Sequence, residues 1–230
     1  MSKKLELNTG IQVIGIGGYK GSGKDTLGNH LVDHINEKGE RHAIRIGFAD
    51  ALKVHCVEKY GVDLELCHAD NHTKNTTLTG VNWFDMPREI QEKFRYSKAD
   101  DQRLTYRELL QIEGTELGRD KFGEDIWLEK ITENINSIES DKPLTIIITD
   151  VRFDNEAQYI MSNGGHVIRI LSTLNNRDAH STEMGITRYN YEVEGFGKTS
   201  LKNSQRDIET LYGYINLHER VRDFVEEENK

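Results

Sequence analysis

Cysteine and proline are scarce in this chain of 230 residues, with two of each. Cys56 and Cys67 are too few and too widely spaced for a disulfide framework or a Cys-x-x-Cys metal site, so both are expected to be reduced, structural thiols. A basic excess is also missing. Thirty Lys and Arg face thirty-nine Asp and Glu, a formal net charge of −9, and no basic stripe runs along the sequence. That argues against a nucleic-acid polymer as partner, since such partners are met by clustered positive charge. No apolar run approaches the eighteen or so residues needed to span a bilayer, and the opening "MSKKLELNTG" has no apolar signal-peptide core. These absences lead us to expect no membrane partner and a cytoplasmic location. The nine histidines are scattered. His30 and His34 have HxxxH spacing, but no Glu follows the first, so a solvated helix face is expected there rather than a metal site.

What the chain does have is a strongly ordered alternation of strand and helix patterns. "IQVIGIGG" (11–18) is an apolar β-former run ending in glycines, and helical spacing follows, with Leu27, Leu31 and Ile35 on one face. "HAIRIGF" (42–48) reads as a strand, "ADALKVHCVEKYG" as a helix closed by Gly61, and "LTIIITD" (144–150) as a buried parallel strand. "NEAQYIMSNGG" reads as a helix stopped by Gly164 and Gly165, and "HVIRIL" as a further strand. The stretch 63–101 is polar, contains Pro87, and is expected to be irregular, with one helix near Arg88. The alternation leads us to expect an α/β fold, a parallel sheet covered by helices on both faces.

The segment "GIGGYKGSGKDTLGNHL" carries the first chemistry. From Gly18 to Lys24 it fits the phosphate-binding pattern G-x-x-x-x-G-K-[ST], but the last position holds Asp25, and Thr26 comes one place late. Gly18, Gly21, Ser22 and Gly23 would let backbone N–H groups close on a polyphosphate at a helix N-terminus. Lys24 would lie along the β/γ-phosphates. Thr26 could still reach a phosphate or the magnesium shell. Asp25 has several readings, namely a magnesium ion, a water in its shell, Lys20, or plain electrostatic preference for a helix start.

A second constellation sits at "IIITDVRFDNE", where Asp150 ends the apolar strand and Arg152 follows. In parallel sheets ligands bind beyond the carboxyl ends of the strands, and both Gly18 and Asp150 lie at such ends. Arg152 either joins that crevice or pairs with Asp154 or Glu156 at the surface. Phosphoryl transfer to a phosphate needs positive charge rather than a base, because the acceptor is already an oxyanion. Arg107, Arg119 and Arg152 are the candidates for that charge.

In combination, "GYKGSGKDT", "FADALK", "YRELLQIEGTELGRDKFGEDIW", "DVRFDNEA" and "HSTEMG" resemble bacteriophage-type deoxynucleoside monophosphate kinases, over most of the chain from about residue 12. With the phosphate loop, the resemblance implies an α/β, three-layer P-loop kinase fold: a parallel sheet of about five strands with a helical substrate-binding insertion and a lid segment. The core would comprise about 11–52 and 124–171, the monophosphate-binding insertion about 53–123, the lid about 172–200 and a C-terminal helix about 205–228. The resemblance also implies ATP as phosphoryl donor, Mg2+, and a deoxynucleoside 5′-monophosphate as acceptor, in the host cytoplasm if the source is a phage. It implies that Lys20, Lys24, Asp25 and Thr26 are the phosphate and metal group. It places Gly114, Thr115, Trp127, Asp150, Arg152 and Glu156, with Lys20, toward the monophosphate. Trp127 could stack on a base, or be core, since Ile131, Ile135 and Ile138 continue its helical stripe. His180 and Glu183 could shape the lid or contact the nucleoside. Rival readings are a kinase of another phosphorylated small molecule and an ATP-binding switch without a small acceptor. Base choice, and the oligomeric state (a homodimer included), stay open.

Overall fold

The structure is a computed structural model that describes residues 6–19, 22–93, 102–171, 186–194 and 208–216. Along the chain run β1 (Gln12–Gly18), α1 (Lys24–Lys38), β2 (His42–Ile46), α2 (Phe48–Tyr60), α3 (Leu64–His68), α4 (Asn71–Thr76), β3 (Leu78–Asn82), α5 (Arg88–Lys93) and β4 (Arg103–Thr105). There follow α6 (Tyr106–Gln111), a π-helical turn at Ile112–Arg119, α7 (Asp120–Phe122), α8 (Ile126–Asn136), β5 (Leu144–Val151), α9 (Asp154–Ser162), β6 (His166–Leu171) and β7 (Tyr191–Glu194). Residues 208–216 are helical. Two compact units result. One joins Met1–Gly47 to Ile135–Lys230, and the other is Phe48–Asn134.

The first unit holds a five-stranded sheet in the order β2-β5-β1-β6-β7, with every pairing parallel. The expected sheet is therefore present, flanked by helices as a three-layer α/β P-loop fold requires. β5 is buried at every position but Asp150, which is why its sequence is almost continuously apolar. The pleat of β1 divides the two layers. Ile14 and Ile16 pack with Leu27, Leu31 and Ile35 of α1 and with Ile208, Leu211 and Ile215. On the opposite face Gly15 leaves room for Ile160 of α9 and Gly17 for Ile186.

α1 approaches the sheet closely at Gly28. A Cβ there would lie 2.3 Å from Thr149 Cγ2 and 3.5 Å from Ile147 Cγ2. Thr149 cannot rotate away without breaking the bond its hydroxyl donates to Asp25. Gly28→Ala should therefore lose more by overpacking, about 1–3 kcal/mol, than the ~1 kcal/mol alanine gains in a helix. A lowered Tm is expected on thermal unfolding, against little change for Gly80→Ala, where nothing lies within 4 Å.

Three sequence expectations change. The strand expected at 42–48 ends at Ile46, and Phe48 already begins α2. The stretch 63–101 is more regular than its polarity suggests, with α3, α4 and β3 besides α5. Asp63 accepts from the Glu65 N–H, and Asp70 from the His72 and Thr73 N–H groups. Side-chain caps thus start helices that apolar periodicity does not announce. Residues 191–194, grouped with the lid by their charge, form β7 beside β6, because Tyr191 and Val193 alternate onto the core. Of the rest of the expected lid, 186–190 is described without helix or strand, and 172–185 and 195–200 lie outside the described residues, as do 205–207 and 217–228 of the expected C-terminal helix.

The second unit is built round Cys56, Cys67, Trp83, Leu104, Leu109 and Ile112, with β3 and β4 antiparallel. Burial pushes the Cys56 thiol up to about 12, so it is an inert core group. Both cysteines are free and buried. No helix among the described residues is long and apolar enough to cross a membrane.

Candidate active site

At the carboxyl end of β1 the chain turns into α1 through two unusual glycines. Gly18 has φ 149°, and Gly23, the residue before the first helical turn, is left-handed at φ 95°, ψ 17°. Side chains rarely adopt either conformation. A Cβ on Gly18 would lie 2.7 Å from the Ile170 carbonyl oxygen and 2.9 Å from Ser22 Oγ. The first turn of α1 has no side-chain cap, which leaves its N–H groups for another acceptor. Ser22 Oγ is buried without a partner among the described residues. Lys24 folds back over the turn, and its Nζ donates to the Gly18 and Tyr19 carbonyls at 2.8 Å each. Lys20 and Gly21 lie outside the described residues. Glycine-bounded backbone, uncapped N–H groups, an orphan hydroxyl and an ammonium thus gather around one loop. This is the chemistry of a polyphosphate cradle.

Asp25 is tied to the sheet. Its Oδ1 accepts from Thr149 Oγ1 at 2.8 Å and lies 3.2 Å from Arg45 Nη1, while its side chain is 77% exposed. Oδ2 makes no hydrogen bond or ion pair among the described residues. Thr26 is exposed at the same turn. Neither Arg45 nor Thr149 was evident in the sequence, because β2 and β5 meet Asp25 only in the folded sheet.

Asp150 lies one residue before the end of β5 with its carboxylate against Gly47, where a Cβ would meet Oδ2 at 2.8 Å. Arg152 is exposed, and its guanidinium has no ion pair among the described residues. Its backbone N–H, with that of Phe153, donates instead to the buried Glu156 carboxylate at 2.8 and 3.1 Å. Glu156 thereby fixes the start of α9 and the turn that carries Arg152. Asp154 accepts from Thr187 N–H and Oγ1 at 2.8 and 2.6 Å. Those bonds hold its carboxyl below the usual carboxylate range.

In the second unit, Gly114 and Trp127 meet directly. The indole N–H of Trp127 donates to the Gly114 carbonyl at 2.9 Å. Gly118 lies against its ring, where a Cβ would sit 2.8 Å from Cζ2. Trp127 is 5% exposed, so it is a packed wall of this unit rather than an open stacking face. Thr115 is exposed and its carbonyl accepts the Asp120 N–H, part of the π-helical turn. Arg119 ends that turn, and Arg107 on α6 donates to Asn71 Oδ1. Glu113, which the sequence did not single out, is buried beneath them and bonded to His55, Lys59 and Tyr60. His180 and Glu183 lie outside the described residues. No group of three His, Cys, Asp or Glu among the described residues could hold a metal ion by itself.

A parallel sheet, a glycine-bounded loop opening an uncapped helix and an Asp at the neighbouring strand end define a nucleotide-kinase-like P-loop protein. The family model for deoxynucleotide monophosphate kinase matches residues 63–194, more than half of the chain, and the chain belongs to that family. It is 28% identical over 214 residues to a putative deoxynucleotide monophosphate kinase of Acanthamoeba polyphaga mimivirus, covering 88% of this chain and 93% of that protein. A shorter match, 46% identical over 57 residues, is to the deoxynucleoside-5′-monophosphate kinase of Escherichia phage T5, over 25% of this chain and 22% of that protein. The protein is thus an enzyme of a transferase family with nucleotide kinase activity.

Proposed function

We propose that the enzyme transfers the γ-phosphoryl group of ATP, by direct in-line displacement, to the 5′-phosphate of a deoxynucleoside monophosphate. The glycine-bounded loop from Gly18 to Lys24, leading into the uncapped first turn of α1, carries this reading. Gly18, Lys20, Gly21, Ser22, Gly23, Lys24, Asp25 and Thr26 would hold the donor phosphates. Lys24 exchanges its two carbonyl partners for β/γ-phosphate oxygens and follows charge as it shifts toward the leaving oxygen. The exposed Arg152, set by Glu156, and the strand-end Asp150 would act on the transferring group.

A divalent ion fits this chemistry. Asp25 offers an exposed Oδ2, Thr26 a hydroxyl, and magnesium is commonly held by one or two protein oxygens plus substrate phosphates and water. When bound, such an ion neutralises charge on the β- and γ-phosphates. Thr149 and Arg45 keep Asp25 Oδ1 occupied, so only Oδ2 faces outward.

On the acceptor side we assign Gly114, Thr115, Arg107 and Arg119, with Trp127 as the packed wall that fixes Gly114. No general base is needed, because the attacking oxygen belongs to a phosphate. The test is a panel of dAMP, dCMP, dGMP and dTMP with ATP and Mg2+, followed by coupled ADP detection. Monophosphate-dependent ADP release with at least one of them is expected. Slow ATP hydrolysis indifferent to all four would overturn the reading in favour of a switch protein.

A further inference from the structure

The chain as a whole is acidic, yet in the second unit four helices, α2, α3, α4 and α6, contribute basic side chains to one cluster. Lys53 of α2 reaches His68 Nδ1 of α3 at 3.2 Å and Asp50 Oδ1 at 2.7 Å. Arg107 of α6 reaches Asn71 in the first turn of α4, and Lys74 lies three residues on, on the same helical face. The carboxylates nearby are largely committed. Asp70 caps α4 through the His72 and Thr73 N–H groups and accepts the Thr73 hydroxyl, while Asp50 pairs with Lys53. Among the described residues, no carboxylate lies within ion-pair distance of Lys74 or Arg107.

We propose that Lys53, Lys74 and Arg107, with His68 beside them, form the cradle that holds the 5′-phosphate of the acceptor. This rests on the kinase reading above, and it gives Lys53, the last residue of "FADALK", and Lys74 and His68, which lie in none of the quoted motifs, a role that the sequence did not assign them. Like charges brought together and partly stripped of water cost free energy that an anion can offset. Their charges act on one another. Burial, then the Arg107 and Lys53 charges, hold the Lys74 ammonium below its ordinary value. Burial, then Lys53, does the same to His68.

Donor capacity is also left over. Lys53 uses two of its three N–H groups and Arg107 one of five, and Lys74 uses none among the described residues. A phosphate dianion accepts several such charge-assisted bonds at once. The donor polyphosphate has its own loop in the first unit. The acceptor's phosphate is the other phosphate that the reaction must hold.

The test uses the full chain. Lys74→Gln, on a helix with no buried residue, and the double variant with Lys53→Gln should keep the wild-type Tm. Each lost charge-assisted bond should raise KM for the monophosphate about ten- to a hundred-fold, with KM for ATP changed less than about two-fold. Calorimetry of a deoxynucleoside monophosphate against its unphosphorylated deoxynucleoside provides a readout apart from turnover. The phosphate advantage should shrink in the variants, and inorganic phosphate should compete in the wild type only.

An undiminished phosphate advantage overturns the site. A loss confined to ATP overturns it as well, by giving the cluster to the donor. If the variants lose phosphate binding while the wild type phosphorylates no monophosphate, the cradle stands and the kinase reading falls.

Discussion

Lys24→Ala should lower kcat by about 10²–10³, the usual cost of removing one preorganised donor to developing charge. The geometry gives the reason. The Nζ spans the Gly18 and Tyr19 carbonyls, 2.8 Å from each. It need move only a short way to meet phosphate oxygens, and it carries a full charge to a place where the backbone offers partial ones. Because negative charge on the leaving oxygen grows toward the transition state, the loss should fall more on kcat than on KM for ATP. Lys24→Arg should not rescue it, since a planar fork cannot replace a compact ammonium between two carbonyls. The two carbonyl bonds are each worth about 1 kcal/mol, so Tm should fall by no more than roughly 4–8 °C. Steady-state kinetics with a thermal melt separates the outcomes, and near-normal turnover would remove the loop from the mechanism.

How much of this was legible beforehand differs by element. β1, its loop and α1 were readable because an apolar run, a glycine cluster and a 3.6-residue stripe follow one another within thirty residues, and each is a local signal. β5 was readable because a strand buried on both faces has no polar positions to confuse it. α3 and α4 were not, since a helix of five or six residues is set by one capping Asp rather than by periodicity. The environment of Asp25 could not be read either. Its partners stand 20 and 124 positions away, and only the order β2-β5-β1 brings them to it. The same holds for Lys53, Lys74 and Arg107, which come from three segments that share no motif. Trp127 was left between stacking and core, and the choice turns on the π-helical turn. Its extra residue per turn brings the Gly114 carbonyl and Gly118 onto the ring, a register that no helical-wheel reading of "LLQIEGTELGR" supplies.

That turn makes the second large prediction concern Glu113. Its carboxylate is about 2% exposed, and it takes His55 at 3.0 Å, Lys59 at 2.8 Å and the Tyr60 hydroxyl, all from α2. Glu113→Ala takes the shared acceptor from three polar groups, of which Lys59 is 43% exposed and can turn to water, so a cost of about 1–3 kcal/mol is expected. In a chain of this size each kcal/mol moves Tm by roughly 2–4 °C, so a fall of several degrees is expected, and a smaller one for Glu113→Gln, which keeps one acceptor.

Acid offers a separate check. Burial alone would push Glu113 up, but the bonds from Lys59, Tyr60 and His55 outweigh it and leave its carboxyl below the usual carboxylate range. A depressed folded pKa gives stability that is fully present above the unfolded pKa and is lost as pH falls through the folded one. The Tm gap between wild type and Glu113→Gln should therefore be constant near neutrality and close as the pH drops below about 4.5. His55 also meets the Trp127 ring edge-on, with centroids 5.8 Å apart, so loosening Glu113 should loosen Trp127. In a Trp83→Phe background, Glu113→Ala should shift Trp127 emission to the red. Unchanged emission and Tm would mean that packing alone, through Leu52 on Gly114 and Gly118 on Trp127, holds the turn in register.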